Sequence, residues 1–205
     1  MTDRKLRGAE LRRIVVGISG ASGVLMGYEL LRALRAQPNV ETHLVVSSGA
    51  RRNFALETGL TMEQVYALAD HVYDEQDMAA PIASGSYQTD GMIVMPCSMK
   101  TLSAIAVGYS SNLLVRAADV CLKENRPTVL VVRETPFSKV HLRNMQLAAE
   151  AGCTILPPML TFYNRADTLQ KQVEHIIGKT LLQFRLASDR FVPWGGPGET
   201  EGADR

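Results

Sequence analysis

Arg13-Ile14-Val15-Val16-Gly17-Ile18-Ser19-Gly20-Ala21-Ser22-Gly23 decides how the rest of the chain is read. Its first six residues form a β-branched run. The small residues after them lead into Val24-Leu25, Leu30-Leu31 and Leu34, apolar at helical spacing. The segment therefore predicts a strand, a tight loop and a helix. The same rhythm continues outward. A strand is expected at Thr42 to Val46, then a helix through Ala50 to Leu56 and another opened by the cap-like Thr61-Met62-Glu63-Gln64. Gly91 to Met95 reads as a buried strand stopped by Pro96. Leu113 to Lys123 reads as a helix, and Thr128 to Val132 is nearly all β-branched. His141 to Ala151 is helical in pattern, Thr154-Ile155-Leu156 is one more short strand, and Pro157-Pro158 begins a loop running to Asp167. Leu169, Val173, Ile176, Ile177, Leu181 and Phe184 mark a last helix packed on a core.

Alternation of this kind implies a parallel α/β sheet with right-handed crossovers, whose ligand crevice lies at the carboxyl ends of the strands. With 205 residues, the chain has room for one doubly wound domain. That domain is expected over residues 13–187, with an N-terminal extension at 1–12 and a polar, glycine-rich tail at 188–205. Apolar residues are 46% and charged residues 21%, enough apolar side chains to cover both faces of a buried sheet. The formal charge is +1 and the basic residues are scattered, which argues against a nucleic-acid partner. The first twelve residues lack the apolar stretch of a signal peptide, and no run approaches a membrane span, so a cytoplasmic location is expected. Cys97, Cys121 and Cys153 are too far apart for a C-x-x-C site and suit a reducing compartment. His43, His71, His141 and His175 show no ligand spacing, and no structural metal is expected.

Several segments at strand ends could carry chemistry. The loop Gly17 to Gly23 can present backbone amides and a positive helix end to an anion, or can be a plain βα turn. Its glycine spacing is not G-x-G-x-x-G, and Val45-Val46-Ser47-Ser48 ends the second strand without an acidic residue for a ribose hydroxyl, which favours a mononucleotide over NAD. Pro96-Cys97-Ser98-Met99-Lys100-Thr101 holds the same position after another strand, where Ser98 and Thr101 can bind a ligand or merely cap a helix. Ser84-Gly85-Ser86 can wall the crevice or be a turn. Arg133-Glu134 follows the most buried-looking strand and precedes Thr135-Pro136, which suits a fixed acid or base, or a structural charge pair. Arg116 and Lys123 are seven residues apart on one helix face, able to hold phosphate or to be solvated. Tyr163 and Trp194 are candidates to stack on a flat ligand, or are core plugs.

Taken in order, GISGASG, SSG with Glu57 in the following helix, ASGSYQTDGMIVMPCSMKTLSAIAVGY, RAADVCLKENRP, RETPFS and PPMLTFYNR resemble the UbiX-like flavin prenyltransferases, including the members associated with phenolic acid decarboxylases. The likeness runs over about residues 13–194. It implies a three-layer flavodoxin-like or Rossmann-like fold and FMN binding. It also implies trimers that pack into dodecamers, and transfer of a dimethylallyl group from dimethylallyl phosphate to reduced FMN. The prenylated FMN would serve a UbiD-like decarboxylase. By the resemblance, Gly20, Ala21, Ser22, Ser47, Ser98, Thr101 and Arg133 line the flavin site. Glu134 is the acid/base residue, with Ser22 and Glu57 also counted catalytic. Arg116, Lys123, Tyr163 and Lys179 meet the prenyl phosphate, some across a subunit boundary, and Trp194 helps enclose the site. Lys179 stands where relatives often carry arginine, keeping the charge but losing the bidentate fork, and Ala166 stands where proline is common. The absence of an Asp-rich magnesium motif suits metal-independent transfer from a monophosphate. Two rivals share the flavin loops. An FMN-dependent cysteine decarboxylase would need a histidine motif and a PASANT-like segment that this chain lacks, and a non-catalytic FMN-binding subunit of an aromatic acid decarboxylase leaves Glu134 and the phosphate residues without a role.

Overall fold

In a computed structural model of the chain, which describes residues 11–188, 191 and 193–196, β1 (Arg12–Ile18) runs into α1 (Val24–Arg35). β2 (Val40–Val46) follows, then α2 (Ser48–Glu57), the short α3 (Met62–Tyr66) and β3 (His71–Tyr73). A loop with a 3₁₀ turn at Pro81–Ala83 leads to β4 (Gly91–Cys97), α4 (Met99–Ala106) and α5 (Leu113–Lys123). β5 (Thr128–Val132), α6 (Lys139–Glu150), β6 (Cys153–Ile155) and α7 (Leu169–Leu182) complete the sequence. The strands form one sheet in the order β3-β2-β1-β4-β5-β6, and the paired strands are parallel. This is the Rossmann order, one of the two the resemblance allowed. No helix among the described residues is long and apolar enough to cross a membrane.

Both faces of the sheet are buried, and the period of two in the strands distributes their side chains between two cores. Ile14, Val16 and Ile18 of β1 point toward α1, α2 and α7, in a core completed by Leu30, Leu34, Ile177 and Phe184. Val15, Met92, Val94 and Leu130 point the other way, toward α4 and α5, where Leu102, Leu113, Leu114 and Cys121 meet them. The three layers follow from this alternation. α7 and α5 consequently lie on opposite faces, which matters for the residues they carry.

Several expectations change in detail. Pro96 does not stop β4. The strand continues to Cys97, and the register with β5 shifts between Val94 and Cys97, so the amide that proline lacks falls where the ladder is already irregular. The cis Met95–Pro96 peptide lies there too. β3 gave no expectation because His71-Val72-Tyr73 is only three residues long at the sheet's edge, with Val72 exposed. Helix α6 starts at Lys139, ahead of His141, because Ser138 and His141 form a reciprocal capping box that a search for Ser-x-x-Glu does not detect. The boundary at residue 12 moves: Arg12 belongs to β1, its Nε 3.4 Å from Asp90 and its terminal nitrogen donating to the Phe184 carbonyl. Of the extension 1–12 and the tail 188–205, residues 1–10, 189–190, 192 and 197–205 lie outside the described residues.

Candidate active site

β1 and β4 are neighbours whose helices leave toward opposite faces, and a crevice must open above their carboxyl ends. Ser19 holds its floor together. Its buried hydroxyl donates to the Pro96 carbonyl at 3.0 Å and accepts from the Ser98 amide at 2.8 Å, fastening the β1 loop to the β4 loop. Beside it the β1 loop comes against the start of α2: a Cβ placed on Gly20 would stand 3.1 Å from the Gly49 Cα, and one on Gly49 3.2 Å from the Gly20 Cα. Glycine at both positions lets the two backbones approach.

The resulting cleft has a volume of about 340 Å³, within the size range of small-molecule sites. Gly20, Ser47 and Ser98 to Thr101 line it, and Glu134 reaches it from the loop after β5. Met99, Ala104 and Val115 give it an apolar side, while Ser48, Ser111 and Asn112 add polar groups. α2 and α4 open at its rim, each capped by the serine before it: the Ser47 hydroxyl accepts from the Ala50 amide at 3.2 Å, and that of Ser98 from the Thr101 amide at 3.3 Å. The Ser98 hydroxyl in turn donates to Thr101 Oγ1 at 3.1 Å. Capping thus occupies Ser47 and Ser98, and other first-turn amides remain to meet an anion. α1 has no cap from its own N-cap residue, Gly23. Such a cleft accommodates a flat, partly apolar molecule with an anionic end.

A buried carboxylate braces the far wall. Glu75 Oε1 accepts from the Ser48 amide at 2.7 Å and lies 3.3 Å from the Arg51 guanidinium, while Oε2 accepts from Asn112 at 3.3 Å. Its carbonyl accepts from the Leu113 amide at 2.8 Å, so one residue ties the start of α2 to the start of α5. Glu134 has no comparable ion pair among the described residues; its carboxylate accepts only from the Thr135 amide, at 2.9 Å. Cys97 is no nucleophile here, because burial drives its thiol pKa far above the ordinary value.

The flavoprotein family profile matches residues 3–181. Over 188 residues, 91% of this chain and all of the relative, the chain is 50% identical to the flavin prenyltransferase UbiX of Escherichia coli K12. The chain belongs to the UbiX-like flavin prenyltransferase family. Its structure is similar to that of AnUbiX (PadA1) in complex with FMN and dimethylallyl pyrophosphate, at a TM-score of 0.89 and 48% identity over 91% of this chain and 99% of that one. It is also similar to a dodecameric FMN-dependent UbiX-like decarboxylase from Escherichia coli O157:H7, at a TM-score of 0.88 and 48% identity over 90% and 100%.

Against the residues the UbiX-like resemblance singles out, the structure forms three groups. Gly20, Ser47, Ser98, Thr101 and Glu134 line one cleft, with Ala21 and the exposed Ser22 in the adjoining loop. Arg116 and Lys123 share a face of α5, but that face grips the loop before β4: Arg116 donates to the Ala83 carbonyl at 3.1 Å and pairs with Asp119 at 2.6 Å, while Lys123 pairs with Glu124 against Gly85. Ser84-Gly85-Ser86 is thus held by α5 and does not wall the cleft. Tyr163, Trp194 and Lys179 belong to the third group, around α7. Tyr163 meets Trp194 edge to face at 5.4 Å and His175 at 5.6 Å, and Lys179 is exposed one turn after His175. Two residues stand apart: Arg133 is exposed outside the cleft, and Glu57 accepts from the Gly23 amide at 2.7 Å at the head of α1.

Sequence reasoning missed Ser19, Gly49, Glu75, Lys100 and Asn112. Ser19, Gly49 and Lys100 sat inside quoted motifs and could have been found there, whereas Glu75 gives no local signal because its partners are remote. The absence of ligand spacing among the histidines also needs correcting. β2 and β3 pair His43 with His71, and with Glu41 they bring three ligand atoms within 4.8 Å of one another. Arg13 already donates to the same Glu41 oxygen at 2.9 Å and His43 lies 2.9 Å from it, so the carboxylate's charge is balanced within the chain. Burial holds the His43 pKa below its ordinary value despite that bond.

Proposed function

We propose that the protein transfers a dimethylallyl group from dimethylallyl phosphate, or its pyrophosphate, to reduced FMN, making prenylated FMN for a UbiD-like decarboxylase. The observation that carries the reading is the cleft at the β1/β4 crevice, with Glu134 at its edge, in a chain of the UbiX-like family. The residues suit FMN. Gly20 and Gly49 let the β1 loop close against the start of α2 at the edge of the cleft, helix starts offer amides to one phosphate, and β2 ends in Val45-Val46-Ser47-Ser48 with no carboxylate for a ribose hydroxyl as NAD would require. The Glu75 carboxylate after β3 is satisfied by Ser48, Arg51 and Asn112.

Reduced FMN supplies the nucleophilic nitrogen and the neighbouring aromatic carbon; the protein must manage the leaving phosphate and the protons. The allylic C–O bond breaks with its electron pair leaving on the phosphate, whose charge falls to Arg116, Lys123, Lys179 and the Tyr163 hydroxyl. C–N bond formation would release one proton, which the departing phosphate can take, whereas ring closure would add a proton to the prenyl double bond and lose one from the aromatic carbon, with no net change. Glu134, free of a cationic partner among the described residues, is the group to carry these protons. Ser22 and Glu57 belong to the β1–α1 loop and its Gly23 contact, Arg133 stands exposed beside Glu134 in the chain, and the faces of Tyr163 and Trp194 shield an electron-poor allylic fragment.

One protomer does not gather its phosphate ligands. Asn112, at the start of α5, lines the cleft; Lys123, at its end, lies seven residues and about 10 Å further along the helix than Arg116, and Tyr163 and Lys179 belong to the opposite face of the sheet. That separation supports a trimeric, dodecameric assembly in which a neighbouring subunit brings one group to another. Three unpaired, buried cysteines support a cytoplasmic setting. Anaerobic incubation with dimethylallyl phosphate tests the function: inorganic phosphate should appear only when reduced FMN is also present. A protein that binds FMN yet releases none is the non-catalytic accessory subunit instead.

A further inference from the structure

His175 is the most conspicuous buried polar group that the reaction as described does not use. It is 6% exposed, and its Nδ1 is a buried polar side-chain atom without a hydrogen-bond partner. Its Nε2 lies 3.3 Å from the Tyr163 hydroxyl, the one polar partner of that hydroxyl among the described residues. Phe191 packs on the other side of the imidazole at 4.9 Å. One turn earlier on α7, Gln172 clamps the loop that carries Tyr163, accepting from the Thr161 amide at 3.0 Å and donating to the carbonyls of Thr161 at 2.8 Å and Ala166 at 3.1 Å.

The orphaned nitrogen decides which way the His175–Tyr163 bond runs. If the phenol donated to Nε2, its only proton would be consumed and Nδ1 would carry a buried, unpartnered N–H, the rarest kind of unsatisfied group. With Nε2–H donating to the phenol oxygen, Nδ1 keeps a bare lone pair and the phenolic O–H is free. Burial, assisted by the charge of Lys179, lowers the His175 pKa, which keeps the ring neutral in neutral solution and leaves Nδ1 unprotonated. We propose that His175 is a positioning residue of prenyl transfer: it donates through Nε2 to Tyr163 and thereby aims the tyrosine's O–H at the phosphate of the allylic donor. This rests on the reading of Tyr163 as a phosphate contact.

Full-length variants read by steady-state kinetics, FMN titration and melting temperature test it. Tyr163→Phe should raise KM for dimethylallyl phosphate about tenfold with FMN affinity unchanged. His175→Phe keeps a ring between Tyr163 and Phe191 but removes the donor, and should raise the same KM about five- to tenfold without lowering the melting temperature. His175→Gln, whose side-chain amide reaches the place of Nε2, should return KM to within about twofold of the parent, and the double variant His175→Phe, Tyr163→Phe should be no worse than Tyr163→Phe alone. A normal KM in His175→Phe beside a raised one in Tyr163→Phe overturns the role of His175 while leaving the phosphate contact standing. So do equal losses in Phe and Gln variants with lowered melting temperatures, which describe a packing residue. A normal KM in Tyr163→Phe overturns the phosphate reading itself, and this inference with it.

Discussion

Glu134 is half-buried in the cleft with no cationic partner among the described residues, so a structural charge pair is not what holds it there. Glu134→Gln keeps its shape but cannot exchange a proton. It should fold, melt and bind FMN normally while prenylated flavin forms about 10²- to 10⁴-fold more slowly in single turnovers; near-normal turnover would remove Glu134 from the mechanism. Gly49→Ala tests the close approach of α2 to the β1 loop. The new methyl group would press on the Gly20 backbone at about the 3.2 Å seen for a built Cβ, and calorimetry should find FMN affinity down about tenfold or more, the usual size of an overpacking cost. The cysteines give a pH signature. Burial raises the Cys121 and Cys153 thiols to about 11 and Cys97 further still. Because a raised thiol pKa keeps the unreactive protonated form, native protein at pH 8 should resist thiol reagents, while unfolded protein should expose three reactive groups. Rapid labelling of the native protein would contradict this. At this scale the sequence was legible where a residue's role is local. Ser47, Ser98 and Glu134 occupy strand-end positions visible in any βα unit. His175 and Glu75 were not legible as anything but packing and polar residues, because their meaning lies in partners 12 and 37 residues away.

Among the elements, long periodic segments followed their patterns closely: α5 and β5 lie where the sequence put them, since an apolar stripe or a continuous β-branched run leaves little choice. Boundaries moved where a particular side chain overrode the pattern, as Ser138 did for α6 and the register shift did for Pro96. The cleft's shape depends on how α2 and α5 are set against each other, and Glu75 sets them. Glu75→Ala would leave the Ser48 amide, Arg51 and Asn112 without their common acceptor, costing about 2–3 kcal/mol. For a chain of this size that is a fall of about 4–12 °C in melting temperature. FMN affinity should drop alongside, and a variant that melts normally and binds FMN normally would show that the tether is not needed.

At the scale of the whole molecule, the Rossmann order places the cleft at the carboxyl ends of the two central strands, β1 and β4, with the α5 cations and the α7 aromatic group on opposite layers. If phosphate ligands from different protomers complete one site, mixing Lys123→Ala and Tyr163→Phe subunits should restore part of the activity that each variant lacks alone, because some interfaces then receive both intact groups. Activity that never exceeds the average of the two variants would mean that each site is built within one protomer. Assembly was the part least readable from residue patterns: nothing in the periodicity of α5 distinguishes a solvated Lys123 from one aimed at a neighbour, and only the resemblance suggested it. The most direct test of the account as a whole is the mass of the flavin recovered after anaerobic incubation of the protein with reduced FMN and dimethylallyl phosphate. The account predicts a flavin heavier than FMN by one dimethylallyl unit, formed in the parent protein and suppressed in Glu134→Gln; FMN recovered unchanged, from protein shown to bind both ligands, would contradict it.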